Sequence, residues 1–260
     1  MSEAFRYRDG DVALVGELYR PVGPGNGRAV LVAHEADGIG GNVRKRCAML
    51  AELGYIAAAA DLHGGGRVLG DAEIGPAMAH FREKPALLRR RIRAGFDALV
   101  ATTGYAPDAI AAIGYCFGGL AVLELVRDGA PVHAVASFHG LLTSVAPAGR
   151  GDIGARVLAC TGALDPLVPP DDVAAFQAEM TQAAADWQLI VYGRALHSFT
   201  NAAVDGLGDP RMAYDASADR QSWEALLGFL DESFAQAASG APACPAIACS
   251  IGTPTCPDVA

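Results

Sequence analysis

The stretch IGYCFGGLAV, residues 113–122, holds a cysteine between glycines where an apolar run gives way to a helical one. AIAAIGYC (109–116) reads as a buried strand and FGGLAVLELVRD (117–128) as the helix that follows it. Between them, Gly114-Tyr115-Cys116-Phe117-Gly118 fits the pattern G-x-nucleophile-x-G, a sharp strand-to-helix turn. The centre of such a turn is conformationally strained, and the residues two before and two after it must be small for strand and helix to approach. Gly114 and Gly118 meet that need. The Cys116 thiol is then expected at the carboxyl edge of a sheet, where open α/β sheets place their sites. The N-terminus of the following helix favours a thiolate there. An isolated thiol with a pKa of about 8.5 is only slightly ionised at neutral pH, so a neighbouring base matters.

A turn of this kind orders its partners along the chain as nucleophile, acid, histidine. Asp165 ends the strand-like ARVLACTGALD (155–165), and His197 follows the strand-like WQLIVYG (187–193). Taken singly, an aspartate before Pro166 and a loop histidine are ordinary. Together, in the required order and each at the carboxyl end of a strand, they make Cys116, Asp165 and His197 the candidate triad. His34, His63, His80 and His133 precede or sit away from the expected place. His139 follows VHAVASFHG (132–140), before the acid, and is a candidate pocket residue. Ser137, Ser144 and Ser198 lack a comparable turn, which disfavours a serine nucleophile.

Strand-like and helix-like runs alternate through most of the chain, the pattern of an α/β fold with a mainly parallel sheet and helices on both faces. ALVGELYRP (13–21) reads as an early, antiparallel edge strand, RAVLVAHE (28–35) as the first buried one, and YIAAAAD (55–61) as the next. Between the last two, a helix is expected over 42–53 with Val43, Cys47 and Leu50 on one stripe. Residues 62–75 read as a long glycine-bearing connection, and Pro85 splits the helical stretch after it, leaving Leu88, Ile92, Phe96 and Leu99 as an apolar stripe. Further helices are expected near 171–184 and around Trp223, Leu226, Leu227, Leu230 and Phe234. Residues 1–236 are expected to form a single domain. Residues 237–260, rich in Ala, Pro, Gly and Ser without helical period, read as a flexible tail.

The chain has 260 residues, of which 52% are apolar and 19% charged, enough for a sizeable buried core. A formal charge of −9 repels nucleic acid and anionic lipid, so RRRIR (89–93) reads as a solvated helix face rather than a phosphate-binding patch. No apolar run is long enough for a membrane span and the N-terminus has no signal-peptide core, which points to a cytoplasmic protein. Of six cysteines, Cys47, Cys116 and Cys160 are scattered, while Cys244, Cys249 and Cys256 crowd the last residues without metal-binding spacing. No Gly-Lys-Ser/Thr phosphate loop occurs, GYCFGG has cysteine where a dinucleotide turn needs its second glycine, and GIGG (38–41) lacks the third.

With these motifs in place, the sequence resembles the dienelactone hydrolase family, α/β-hydrolases with a cysteine where most relatives have serine. The resemblance covers roughly residues 10–235 and is carried by GYCFGG around Cys116, GALDPLVP around Asp165, LHSF around His197 and AHEADGIGG (33–41). It implies an α/β-hydrolase fold. It also implies that Glu35 contacts the resting thiol and moves away when substrate arrives, and that the backbone N–H groups of Ala36 and Phe117 form an oxyanion hole. One departure stands out. Dienelactone-cleaving members carry an arginine four residues beyond the histidine to hold the substrate carboxylate, and this chain has Asn201 there. Arg82 or Arg194 could supply a cation instead, unless each is simply solvated; Arg82, His139 and Asn201 are therefore the candidate substrate-binding residues. The activity implied is hydrolysis of a small-molecule carboxylic ester or lactone through an acyl-thioester, by a monomer or homodimer, with no metal or organic cofactor. The alternative is a non-catalytic thiol module, redox-sensing or ligand-binding, on a hydrolase scaffold.

Overall fold

The computed structural model describes residues 2–239, the last four of them by their helical backbone alone; the expected tail and its three cysteines lie outside the described residues. Among the described residues, eight strands join one sheet in the order β1-β2-β4-β3-β5-β6-β7-β8. The first two, β1 (Ser2–Asp9) and β2 (Val12–Tyr19), form an antiparallel hairpin closed by Gly10 and Asp11, with Gly10 at φ 57°. Sequence reading found β2 but not β1. Phe5 is the one large apolar residue that β1 buries, and its alternation with exposed arginines gives a weak signal.

β2 also pairs antiparallel with its inner neighbour, and from there inward the sheet is parallel. It runs through β3 (Ala29–Ala33), β4 (Ile56–Ala60), β5 (Ile110–Tyr115), β6 (Ala134–Phe138), β7 (Arg156–Gly162) and β8 (Trp187–Tyr192). These are the expected strands to within a few residues. Strand β4, IAAAA, shows tertiary packing overriding helix propensity: alanine favours helices, yet this run is buried on both faces between β3 and β2.

Helices cover both faces. On one side lie α1 (Gly41–Glu52) and the C-terminal α6 (Ala216–Ser239), with Val43, Cys47, Leu50, Leu226, Leu230 and Phe234 against the sheet. The other side carries α2 (Asp71–Glu83), α3 (Pro85–Thr103), α4 (Phe117–Arg127) and α5 (Pro170–Ala183). Leu88, Ile92, Phe96 and Leu99 form the buried stripe of α3, and Pro85 opens that helix at a position where its missing N–H costs nothing. The connection after β4 is shorter than expected, because α2 begins at Asp71. The Glu73 carboxylate accepts the Gly70 N–H at 3.0 Å and caps it.

The RRRIR segment is a solvated face only in part, since Arg90 is exposed while its neighbour turns inward. Arg91 is buried, donating to Asp9 at 2.9 Å and to the Leu62 carbonyl at 2.9 Å, and Arg90 donates to Asp9 at 2.6 Å. Arg89 reaches Glu124 at 2.7 Å and the Ala146 carbonyl. A buried carboxylate and a buried guanidinium must pair, and here the pairs fasten α3 to the end of β1 and to α4. Among the described residues, no helix is long and apolar enough to cross a membrane.

Candidate active site

Cys116 sits between β5 and α4 at φ 53° and ψ −115°, a conformation that side-chain-bearing residues rarely adopt. The flanking glycines are required by contact. A Cβ on Gly114 would lie 2.0 Å from the Gly118 carbonyl oxygen, and one on Gly118 would lie 2.2 Å from that of Ala33. The elbow therefore forms as the sequence predicts, with a half-buried thiol at the N-terminus of α4.

The structure brings the other two expected residues to this thiol. His197 Nε2 lies 3.2 Å from Cys116 Sγ, and its Nδ1 lies 2.8 Å from Asp165 Oδ2. Asp165 is held in turn by the Leu167 N–H, which donates to its Oδ1 at 2.8 Å. The acid and histidine loops approach because β7 ends in Gly162, where a Cβ would lie 2.3 Å from the Ala195 carbonyl oxygen. Burial works against a charge on His197, but the Cys116 sulfur and the Asp165 carboxylate outweigh it, and the imidazole pKa is raised to about 10. At that value the imidazole keeps its proton through the neutral range.

Glu35 departs from expectation. Its buried carboxylate accepts from Asn201 Nδ2 at 3.1 and 3.0 Å and from Asn42 Nδ2 at 3.3 Å, and no hydrogen bond joins it to the thiol. Burial raises its pKa to about 7 against the pull of the Asn201 amide. Asn201, four residues beyond His197, thus faces Glu35, and its Oδ1 accepts the Ala203 N–H at 3.0 Å. Phe117 directly follows Cys116 as the first residue of α4, and Ala36 directly follows Glu35 in the loop after β3. Their loops are braced by rings: His63 stacks on Phe117 at 5.8 Å and binds the Ala36 carbonyl at 3.0 Å, while the buried His34 binds the Glu35 carbonyl at 2.6 Å. Burial, aided by the neighbouring His63, lowers the His34 pKa to about 4, so this ring is a neutral brace.

Two candidates are placed elsewhere. Arg82 lies exposed on α2, beside a cavity of about 350 Å³ lined also by Phe81, Leu88, Leu120 and Val145 but by no triad residue. His139 is fully buried, with its ring turned to the Cys116 main chain. Arg194 is exposed.

Sequence reasoning missed the residues that fix the histidine loop. Arg46 on α1 is buried, donates to the Thr200 carbonyl at 3.0 Å and pairs with Asp219 on α6. A signal existed, since Arg46 falls at the i+3 position of the stripe begun by Val43, where an apolar residue belongs. Thr200 and Asn42 gave none. Among the described residues, no group of three or more His, Cys, Asp or Glu is placed to hold a metal ion.

Comparison with known proteins identifies the family and the fold. The protein is similar to the solved structure named m3DLH, at 40% identity with a TM-score of 0.84, covering 90% of this chain and 98% of that one. It is also similar to the dienelactone hydrolase-like promiscuous phosphotriesterase P91 from metagenomic libraries, at 37% identity and a TM-score of 0.83, covering 89% and 98%. An uncharacterised protein of Caenorhabditis elegans, K02A2.1, is 36% identical over 153 residues, which span 57% of this chain and 95% of that protein. The fold is that of the α/β-hydrolases, and the dienelactone hydrolase family model matches residues 14–234. The chain belongs to the dienelactone hydrolase family.

Proposed function

We propose that the protein hydrolyses neutral carboxylic esters or lactones through a covalent acyl-thioester on Cys116. The observation that carries this reading is the bridging position of His197, 3.2 Å from the sulfur and 2.8 Å from the Asp165 carboxylate. In the first half-reaction the Cys116 sulfur attacks the carbonyl carbon, the carbonyl oxygen takes the charge, and the Ala36 and Phe117 N–H groups receive it. Collapse expels the alcohol, which leaves with the proton held by His197. In the second half, His197 takes a proton from water, the hydroxide attacks the thioester, and the carboxylic acid departs as the sulfur recovers the electron pair. Asp165 orients the imidazole throughout.

A preference for neutral substrates follows from Asn201, which offers no positive charge and has its amide engaged by Glu35. A second reading comes from the similarity to a promiscuous phosphotriesterase: the same sulfur attacking the phosphorus of a neutral phosphotriester. The non-catalytic thiol module is disfavoured, because neither sensing nor binding requires the Asp165–His197 pair.

The test is a panel of short-chain esters, neutral lactones, a carboxylate-bearing dienelactone and a neutral phosphotriester, each assayed before and after alkylation. Turnover of esters that disappears on alkylation of Cys116, with an acyl adduct on the Cys116 peptide in quenched samples, is the expected result. Ester turnover that survives modification of Cys116 would overturn the proposal.

A further inference from the structure

Cys116 and His139 are linked by the sheet register. Tyr115 of β5 pairs with Phe138 of β6, so the next residue on each strand, Cys116 and His139, stand side by side as the strands end. Both turn into the left-handed region there, at φ 53° and φ 40°. Two strained residues on adjacent strands need something to hold them.

The Cys116 N–H donates to His139 Nδ1 at 3.1 Å as well as to the Phe138 carbonyl at 3.0 Å. A ring nitrogen that accepts must be unprotonated, which places the single proton of neutral His139 on Nε2. That Nε2–H donates to Thr200 Oγ1 at 2.8 Å. Burial, with His197 nearby, holds the His139 pKa well below the ordinary value and keeps the ring neutral. Thr200 Oγ1 also accepts from Asn42 Nδ2 at 3.3 Å, and the same amide donates to Glu35. A continuous path of hydrogen bonds thus runs from the nucleophile's main chain through His139, Thr200 and Asn42 to the loop that carries Glu35 and Ala36. The Thr200 main chain is itself fixed, its carbonyl accepting from the buried Arg46. The turn at His139 also supports the first turn of α4, since a Cβ on Gly119 would lie 2.8 Å from Gly140 Cα.

We infer that His139 and Thr200 are positioning residues of the active site: together they hold the Cys116 main chain in its strained turn and tie it to the loop that supplies the second oxyanion donor. The inference rests on Cys116 as the nucleophile, but it concerns residues that touch neither substrate nor sulfur. Its consequence is specific. Loss of the Thr200 hydroxyl leaves the Nε2–H of buried His139 without an acceptor, the ring is free to turn, and the elbow relaxes, which lowers the chemical step more than substrate binding.

The experiment compares Thr200→Val, which keeps the shape and deletes the hydroxyl, with Thr200→Ser, which keeps the hydroxyl. Readouts are kcat and KM on a neutral ester and the rate of Cys116 alkylation by iodoacetamide. Thr200→Val is expected to lose about tenfold in kcat, the scale of one hydrogen bond, with KM changed less than about twofold. Alkylation slows in the same variant, and Thr200→Ser restores both rates. Should Thr200→Val give no folded protein, Thr200→Ala against Thr200→Ser makes the same comparison. Unchanged kcat and alkylation on losing the hydroxyl would overturn the inference. So would equal losses in the valine and serine substitutions, which assign the effect to packing. Absence of ester turnover in the parent protein overturns the hydrolase reading alone, because the alkylation arm reports on the elbow without turnover.

Discussion

The side-chain amide of Asn201 spans both carboxylate oxygens of Glu35, at 3.1 and 3.0 Å, four residues beyond the histidine that faces the thiol. Hydrogen bonds to a carboxylate favour its charged form, and here they oppose burial, leaving the Glu35 pKa at about 7. Asn201→Ala removes the opposition. The Glu35 titration is therefore expected to move above about 7, read by carbon NMR of labelled glutamate side chains; a midpoint that stays or falls would contradict this account of the site.

Asn201→Arg restores a cation where carboxylate-cleaving relatives place one. Turnover of a carboxylate-bearing lactone is expected to improve by about 1.5–3 kcal/mol in kcat/KM, the range for hydrogen bonds to charged groups, while neutral esters gain nothing. Equal gains on both substrates would show that position 201 is no carboxylate clamp.

Iodoacetamide is expected to label Cys116 and to spare Cys47 and Cys160 in the native protein. Those two thiols are buried, and burial pushes the Cys160 pKa up to about 12 and that of Cys47 higher still. Peptide mapping after brief labelling decides the matter, and Cys116→Ala should abolish hydrolysis while Cys47→Ala and Cys160→Ala leave it near the parent value.

The Asp165 carboxylate helps to raise the His197 pKa, so Asp165→Asn is expected to lower it from about 10, exposing the imidazole to proton loss nearer neutral pH. A proton NMR titration of the His197 ring reads the shift. Activity should fall by about a thousandfold or more, because the amide also favours the wrong tautomer. An unmoved ring titration would show that the carboxylate sets orientation only.

Gly162→Ala tests how the acid and histidine loops meet. A Cβ there would lie 2.3 Å from the Ala195 carbonyl oxygen, a backbone atom that moves only if the histidine loop moves with it. A stability loss of about 1–3 kcal/mol in urea unfolding is expected. Ester turnover in the folded fraction should fall further than stability alone explains, since the loop carries His197.

The elbow and triad were legible because each carries a local mark: glycines spaced two from the cysteine, and an acid and a histidine that close strand-like runs. What stayed hidden are partnerships between distant positions. Arg91 reads as one more charge on a helix until Asp9, 82 residues earlier, is found beside it. His139 reads as a pocket residue because nothing near it announces Thr200, 61 residues on. The start of α2 was misplaced for a different reason, since Gly75 and Pro76 are loop formers that this helix accommodates within its first two turns. The Glu35 partnership is likewise hidden, since Asn201 lies 166 residues away in sequence.

The unusual geometry of the nucleophile belongs to its main chain: Gly114, Gly118 and the His139 ring fix the turn, and none of them touches the sulfur through a hydrogen bond. The turn is therefore indifferent to which small nucleophile it carries, and Cys116→Ser should place a hydroxyl at nearly the same point in space. What changes is the histidine. A neutral hydroxyl supplies no negative charge to retain the His197 proton, so the imidazole pKa falls and the ring becomes a base that must remove a proton in each catalytic cycle. Exchanging one chalcogen atom for another would thus change the base strength of the histidine beside it without moving the backbone.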